Sequence, residues 1–430
     1  MSVLTDLMGP AEAMESEAAM VRGSLDGCVK CTICESACPF AAATELFPGP
    51  KTVGPQEERF RHGPLSADWS VDYCSGCGIC SRVCPQEVRI AEINSRARAQ
   101  LKERRGVPWR DQLLGRPDVM GKLGQPVAPL FNWSMSSPLA RTVVERTTGV
   151  HRDAAIPRVS PRTFHHWSRR HRSPPRPDRV IYFHGCSTNY FEPRLGRMVV
   201  AVLEHQGLEV VIPAQGCCGL PLQSNGNFPA ARGYVTKLAG QLADAAPDVP
   251  IIASSTSCGL MLKREAREIL DVGDPALLDV SRRTWDIFEF LRDRHERGLL
   301  RTDFRPVEMA TAYHAPCQQQ NQLVGKPAMD VLSLIPGLRL VELDRDCCGV
   351  AGTYGVKREK HDISMAVGES LFSDIRSAAP DLVLCDSETC RWHIARATGC
   401  RVIHPLEILH RAYGGGGHQR PRPSVGSPAQ

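Results

Sequence analysis

Between residues 180 and 413 the chain alternates short, nearly unbroken apolar runs with longer stretches whose apolar positions recur three or four apart. The runs are Val180-Ile-Tyr-Phe, Leu208-Glu-Val-Val-Ile, Pro250-Ile-Ile-Ala, Ala310-Thr-Ala-Tyr, Leu338-Arg-Leu-Val-Glu-Leu and Asp381-Leu-Val-Leu. Runs of this length read as buried strands and the amphipathic stretches between them as helices. Strand and helix in alternation predict a parallel sheet, with chemistry gathered at the carboxyl ends of its strands.

The pattern occurs twice. A lone cysteine follows the first strand of each set (Cys186, Cys317), an adjacent pair before glycine follows the second (Cys217-Cys218, Cys347-Cys348), and a distal cysteine opens a helix after the third (Cys258, Cys390). Corresponding positions are offset by 131, 130 and 132 residues, a near-constant spacing that predicts duplication of one α/β unit.

Ahead of residue 180, residues 87–93 lead into an Arg- and Ala-rich helical stretch. Residues 101–150 read as helices interrupted at Pro108, Pro117, Pro126 and Pro138. The dominant feature here is two cysteine blocks, Cys28-x2-Cys31-x2-Cys34-x3-Cys38-Pro39 and Cys74-x2-Cys77-x2-Cys80-x3-Cys84-Pro85. In a two-cluster ferredoxin three closely spaced thiolates hold one [4Fe-4S] cube and the fourth crosses to the other. That pattern assigns Cys28, Cys31, Cys34 and Cys84 to one cluster, and Cys38, Cys74, Cys77 and Cys80 to the second. Structural zinc needs only four ligands, usually as two separated pairs, and leaves half of these thiolates without a role.

The expected fold class is therefore multidomain α plus α/β. A flexible N-terminus (1–25) precedes an α-helical, ferredoxin-like domain with two [4Fe-4S] clusters (26–100) and a helical region with a basic linker (101–179). Two cysteine-rich α/β repeats (180–300 and 301–413) and a Gly- and Pro-rich, disordered tail (414–430) follow.

Composition narrows the setting. The 18 cysteines fall at metal-ligand spacings rather than as a disulfide framework, which points to a reducing cytoplasm. The N-terminus lacks a secretory signal, and no apolar run reaches the roughly 18 residues a membrane span requires. Membrane association, if any, is expected to be peripheral, on the inner face of the cytoplasmic membrane. The segment 141–179 holds ten arginines against three acidic residues, suited either to anionic headgroups or to an acidic neighbouring surface. A net charge of +5 without interleaved aromatics gives no reason to expect nucleic acid. Nor is there a Rossmann or P-loop phosphate motif.

The repeats themselves offer thiolates for one or two further iron-sulfur clusters, or for zinc. Adjacent cysteines in extended backbone point apart, so each pair can serve one centre only where the chain bends, as Gly219 and Gly349 permit. The first copy supplies Cys186, Cys217, Cys218 and Cys258. The second supplies Cys317, Cys347, Cys348 and Cys390, and gains a fifth if Cys385, two residues before Ser387, turns in. His184 and His314, beside the lone cysteines, are expected to be satisfied structural histidines rather than ligands.

The order of two ferredoxin-type blocks and two CCG domains resembles the heterodisulfide-reductase-type iron-sulfur proteins. More narrowly, Cys28-Val-Lys-Cys31-Thr-Ile-Cys34, Tyr-Phe-His-Gly-Cys186, Asp346-Cys347-Cys348-Gly349-Val-Ala-Gly-Thr-Tyr-Gly355 and Ser387-Glu-Thr-Cys390-Arg-Trp392 are similar to the iron-sulfur subunits of anaerobic glycerol-3-phosphate dehydrogenases. The family pattern would have cysteine at Ser255 and Ser387. The resemblance implies an electron-transfer subunit that takes electrons from a flavin-containing dehydrogenase subunit and passes them toward membrane quinone. Two alternatives keep the architecture: an iron-sulfur subunit of a glycolate or lactate oxidase, and a heterodisulfide-reductase-like enzyme acting at the duplicated cysteines.

Overall fold

The computed structural model describes residues 19–61 and 68–415. Most of the flexible N-terminus expected over 1–25, and the tail from residue 416, lie outside the described residues.

Two four-stranded sheets form the body of the protein. The first contains β1 (Arg179–Phe183), β2 (Glu209–Val211), β3 (Ile251–Ala253) and β4 (Thr284–Asp286) in the order β2-β1-β3-β4. The second contains β5 (Met309–Tyr313), β6 (Leu338–Glu342), β7 (Leu382–Leu384) and β8 (Val402–Ile403) in the order β6-β5-β7-β8. Every pairing is parallel, and the two orders are the same topology repeated. The interior strands β3 and β7 are buried throughout, hence their unbroken apolar runs, whereas the edge strand β6 alternates between half-buried and exposed positions. β4 and β8 are short edge strands, each running straight into a helix, Ile287–Glu296 and Pro405–Ala412.

Those two helices lock the repeats together. Ile287–Glu296 of the first repeat packs on Pro327–Leu332 of the second, and Pro405–Ala412 of the second packs on Pro193–His205 of the first. One apolar core runs through both, including Tyr182, Leu203, Phe288, Tyr313, Leu332 and Leu406. Each such side chain contributes about 1.5–3 kcal/mol when buried, so the repeats form one packed unit rather than two domains on a linker.

Among the described residues before 179 the only regular elements are helices. Helix Ile90–Arg105 runs from the second cysteine block to the first repeat, where Arg98 donates to the carbonyls of Cys74 and Ser224 and Arg96 donates to that of Glu268. On the other side, helix Pro39–Ala43 packs on His361–Ala378, and the Phe40 ring meets Tyr354 edge-on with centroids 5.2 Å apart. Four further helices follow, Trp109–Leu114, Pro117–Gly124, Ala128–Ser136 and Pro138–Thr148; the first is tied to the second repeat by the buried Lys357–Asp111 ion pair (2.8 Å), and the second packs on Gly185–Tyr190 of the first repeat.

The basic segment, 141–179, is laid over neighbouring groups. His171 pairs with Glu204 (2.7 Å), Arg179 lies 3.5 Å from Glu209, and Arg141 donates to carbonyls of residues 151, 152 and 154. No helix of the described residues is long and apolar enough to cross a membrane.

Candidate metal centres

The two N-terminal cysteine blocks share one backbone course. In the first, Lys30 and Thr32 flank Cys31 with φ of 61° and 69°; in the second, Gly76 and Gly78 flank Cys77 with φ of 73° and 80°. Two left-handed residues on either side of the middle cysteine curl the chain so that all three sulfurs of a C-x2-C-x2-C run face one hollow. Glycine adopts this conformation freely, whereas Lys30 and Thr32 each carry about 1–2 kcal/mol of strain.

Cys28, Cys31, Cys34 and Cys84 line a single hollow, together with Lys51 and Ile90. Cys38 faces Cys74, and Cys80 is close to Cys77, Cys74 and Cys38, which gathers a second set of four. Burial pushes the Cys34 and Cys38 thiols up to about 11. These sulfurs are thus protonated without metal and become thiolates only when a cation displaces the proton. All are free thiols, and all-sulfur sets of four fit iron-sulfur cubes in their donor chemistry.

Each repeat also gathers its cysteines. In the first, Cys186 donates to Cys217 (3.8 Å) and Cys218 to Cys258 (3.3 Å). In the second, Cys317 meets Cys347, and Cys390 meets both Cys348 and Cys385. The chain bends directly after each cysteine pair, at Gly219 and Gly349, with φ of 81° and 89°, whose amides point back at the Cys217 and Cys347 sulfurs (3.5 and 3.3 Å). A Cβ on Gly349 would sit 2.0 Å from the Ser364 carbonyl, so no other residue fits there. One sulfur in each repeat is held well below the ordinary thiol range: Cys217 by Cys186 and Cys218, and Cys390 by Cys348 and Cys385. Cys400 lies apart from these sets, beside Thr398.

Ser255 and Ser387 have different partners in the two copies. Ser255 donates across the repeat boundary to the buried Glu388 carboxylate (3.1 Å to each oxygen), while Ser387 meets Thr389 (3.3 Å). The two histidines differ as well. His184 bonds through Nδ1 to the Gly185 carbonyl (2.8 Å), as expected of a structural histidine. His314 is fully buried, and neither ring nitrogen has a hydrogen-bond partner of ordinary geometry among the described residues, contrary to the sequence expectation.

These sets meet around one cavity of about 960 Å³, lined by Cys77 and Cys84, by Cys186, Cys217, Cys218 and Cys258, and by Cys317, Cys347, Cys348 and Cys390. Leu114, Met120 and Phe131 from the helices that follow the two N-terminal cysteine blocks contribute to its wall. Cys77 is close to Cys317 and Cys347, so the second four-cysteine set abuts the second repeat. Asn321, Arg98 and Glu388, which bind the modules around this cavity, carry no local sequence signal: each is an ordinary polar residue whose partner is distant in the chain.

Comparison with known proteins agrees with this arrangement. Residues 24–88 match the 4Fe-4S dicluster domain family, and residues 180–263 and 311–395 match the cysteine-rich domain family. The chain is 34% identical over 400 residues to the C-subunit of anaerobic glycerol-3-phosphate dehydrogenase of Escherichia coli K12, covering 90% of this chain and 98% of that protein. It is 26% identical to the B-subunit of fumarate reductase (CoM/CoB) of Methanothermobacter marburgensis, over 90% of this chain and 72% of that protein. It is 24% identical to the glycolate oxidase iron-sulfur subunit of Escherichia coli K12, over 90% of this chain and 94% of that protein. With a dicluster domain ahead of two cysteine-rich domains, and 34% identity along nearly the whole of both chains, the protein belongs to the family of the anaerobic glycerol-3-phosphate dehydrogenase C-subunit.

Proposed function

We propose that this chain is the electron-transfer subunit of a glycerol-3-phosphate dehydrogenase complex, taking electrons from a flavin-containing dehydrogenase subunit and passing them toward membrane quinone. The observation that supports the reading is the burial of Cys77 in one cluster with Cys317 and Cys347, beside a cavity that cysteines of both repeats also line. In this reading, Cys28, Cys31, Cys34 and Cys84 hold one [4Fe-4S] cluster and Cys38, Cys74, Cys77 and Cys80 hold the other. Cys186, Cys217, Cys218 and Cys258 in the first repeat, and Cys317, Cys347, Cys348, Cys385 and Cys390 in the second, are the ligands offered to further iron-sulfur or zinc centres. When bound, [4Fe-4S] clusters supply one-electron carriers between a two-electron flavin and a two-electron quinone.

The chain's own residues bury and orient these sites. Arg98 grips the Cys74 carbonyl, and Lys360 and Lys102 converge on Asp72 (3.1 and 3.0 Å), two residues before Cys74. Cations this close to an anionic centre favour its reduced form.

The membrane side of the proposal is supported by an exposed apolar surface on the helices after residue 109. Leu123, Val127, Leu130, Trp133, Leu139 and Val143 are all exposed, with the exposed cations Lys122 and Arg146 among them. Interfacial tryptophan, aliphatic side chains and basic residues together suit an anionic bilayer surface.

The test is flavin reoxidation. The chain, loaded with iron and sulfide without oxygen, is mixed with its reduced flavoprotein partner and a quinone analogue. Cys74→Ser and Cys77→Ser are expected to slow quinone reduction at least a hundredfold; unchanged rates would refute the relay. Co-purification with a flavoprotein that oxidises glycolate but not glycerol 3-phosphate would replace the proposed substrate.

A further inference from the structure

The two repeats share topology, yet their histidines do not share an environment. His184 and His314 directly follow equivalent strands, β1 and β5, two and three residues before the lone cysteine respectively. His184 is satisfied by the Gly185 carbonyl and packs edge-on against Phe164. His314 has no exposed surface and no hydrogen-bond partner of ordinary geometry for Nδ1 or Nε2 among the described residues; the polar atom it approaches is the Cys390 sulfur. Leaving the polar atoms of a fully buried imidazole unpaired is costly, and that cost calls for a ligand.

The ligand's nature follows from what the ring faces. One imidazole nitrogen and the sulfurs of Cys348 and Cys390 all lie within 4.8 Å of one another. Cys385 stands behind Cys390 and in contact with it, and the His314 amide bonds to the Leu384 carbonyl, so the strand pairing of β5 and β7 sets His314 beside Cys385. No carboxylate belongs to the group.

We propose that His314 is a metal ligand. With Cys348 and Cys390, and with Cys385 as the nearest fourth donor, it forms a thiolate-and-imidazole site for a tetrahedral first-row metal, either zinc or an iron of an iron-sulfur centre. The imidazole takes the coordination position that Ser387, its hydroxyl 3.3 Å from that of Thr389, leaves open. Imidazole and thiolate are the two donors both metals accept, and neutral imidazole in place of a thiolate leaves the site one negative charge less. Binding displaces the thiol protons of the participating cysteines to solvent, with no change of oxidation state. The first repeat has no counterpart, because His184 is already engaged and Ser255 is held by Glu388. The two repeats therefore hold chemically different centres.

The test uses the full chain purified without oxygen. Iron, zinc and sulfide per chain are measured for the wild type, His314→Ala, His314→Cys and His184→Ala. His314→Ala is expected to lose the second repeat's metal, His314→Cys to keep it, and His184→Ala to leave it in place. Labelling histidine with ¹⁵N then separates the two metals. A histidine nitrogen coupling in the electron-nuclear double resonance spectrum of the reduced protein identifies iron, and one imidazole shell in zinc-edge X-ray absorption identifies zinc. Both spectroscopic measurements are made on the wild type, so they stand even if His314→Ala does not fold. Absence of nitrogen coordination by both methods, or a His314→Ala chain with wild-type metal content, would overturn the proposal.

Discussion

Asn321 of the second repeat donates its side-chain amide to the carbonyl oxygen of Cys77, 2.8 Å away, and packs directly over Gly78. The same side chain accepts from Arg82 (3.2 Å), whose guanidinium also pairs with Asp346 beside the Cys347-Cys348 pair. A single polar residue thus holds the loop of one cysteine block against the repeat that its sulfurs adjoin.

That contact yields the first prediction. Gly78→Ala places a Cβ 2.0 Å from the Asn321 amide on backbone with φ of 80°. Strain and the displaced Asn321 together should cost about 2–4 kcal/mol. Asn321→Ala, which adds no clash and loses the hydrogen bond to the Cys77 carbonyl, should cost about 1 kcal/mol. Thermal unfolding of both variants, with the reduction rate of the second repeat's centre, checks the order of effects.

The CCG bends give a second, unequal pair. Gly349→Ala drives its methyl into the Ser364 backbone, whereas at Gly219 the nearest atom, the Ala231 carbonyl oxygen, is 2.9 Å away. Gly349→Ala should therefore empty the second repeat of metal and destabilise the chain by about 3 kcal/mol or more, with a smaller loss for Gly219→Ala. Metal analysis and melting temperatures decide it; equal effects would contradict the geometry.

Glu265 provides a pH test. Burial, reinforced by the charges of Glu92 and Glu268, pushes its carboxyl up to about 8, and one of its oxygens has no partner among the described residues. The folded chain then holds a proton that the unfolded chain releases near pH 4.5. This group's contribution is fully present below that pH and is lost as pH rises through 8. Glu265→Gln removes the dependence. The variant should match the wild type near pH 4.5 and exceed it by up to about 3 kcal/mol at pH 7. Unfolding measured at pH 5 and pH 8 checks the sign; a variant less stable at pH 8 would reverse it.

The exposed apolar surface supports a fourth prediction. Each of Leu130 and Trp133, if it enters a bilayer interface, contributes about 1.5–3 kcal/mol. Leu130→Ser with Trp133→Ser should weaken binding to anionic vesicles at least a hundredfold, and 0.5 M salt should weaken wild-type binding only in part. Flotation with phosphatidylglycerol vesicles measures both.

The sequence by itself determined the features that local chemistry dictates. Three cysteines in seven residues can face one hollow without help from the rest of the fold, and Gly76 and Gly78 already supply the left-handed turns. Unbroken apolar strands at a fixed offset require a duplicated parallel sheet, because only strands buried on both faces tolerate such runs. The sequence equally placed glycine where the cysteine pairs must bend. Tertiary structure decided what depends on partners far apart in the chain. His184 and His314 are indistinguishable as letters after a strand, and only the packing of Gly185 and Phe164 around one, and of Cys348 and Cys390 around the other, separates a satisfied side chain from an unpartnered one. Asn321 on Cys77 and Glu388 on Ser255 are bonds across more than 130 residues, each made only when the modules dock. Spacing governs the atoms that one loop can gather; which loops face each other is set by the shared core of the two repeats.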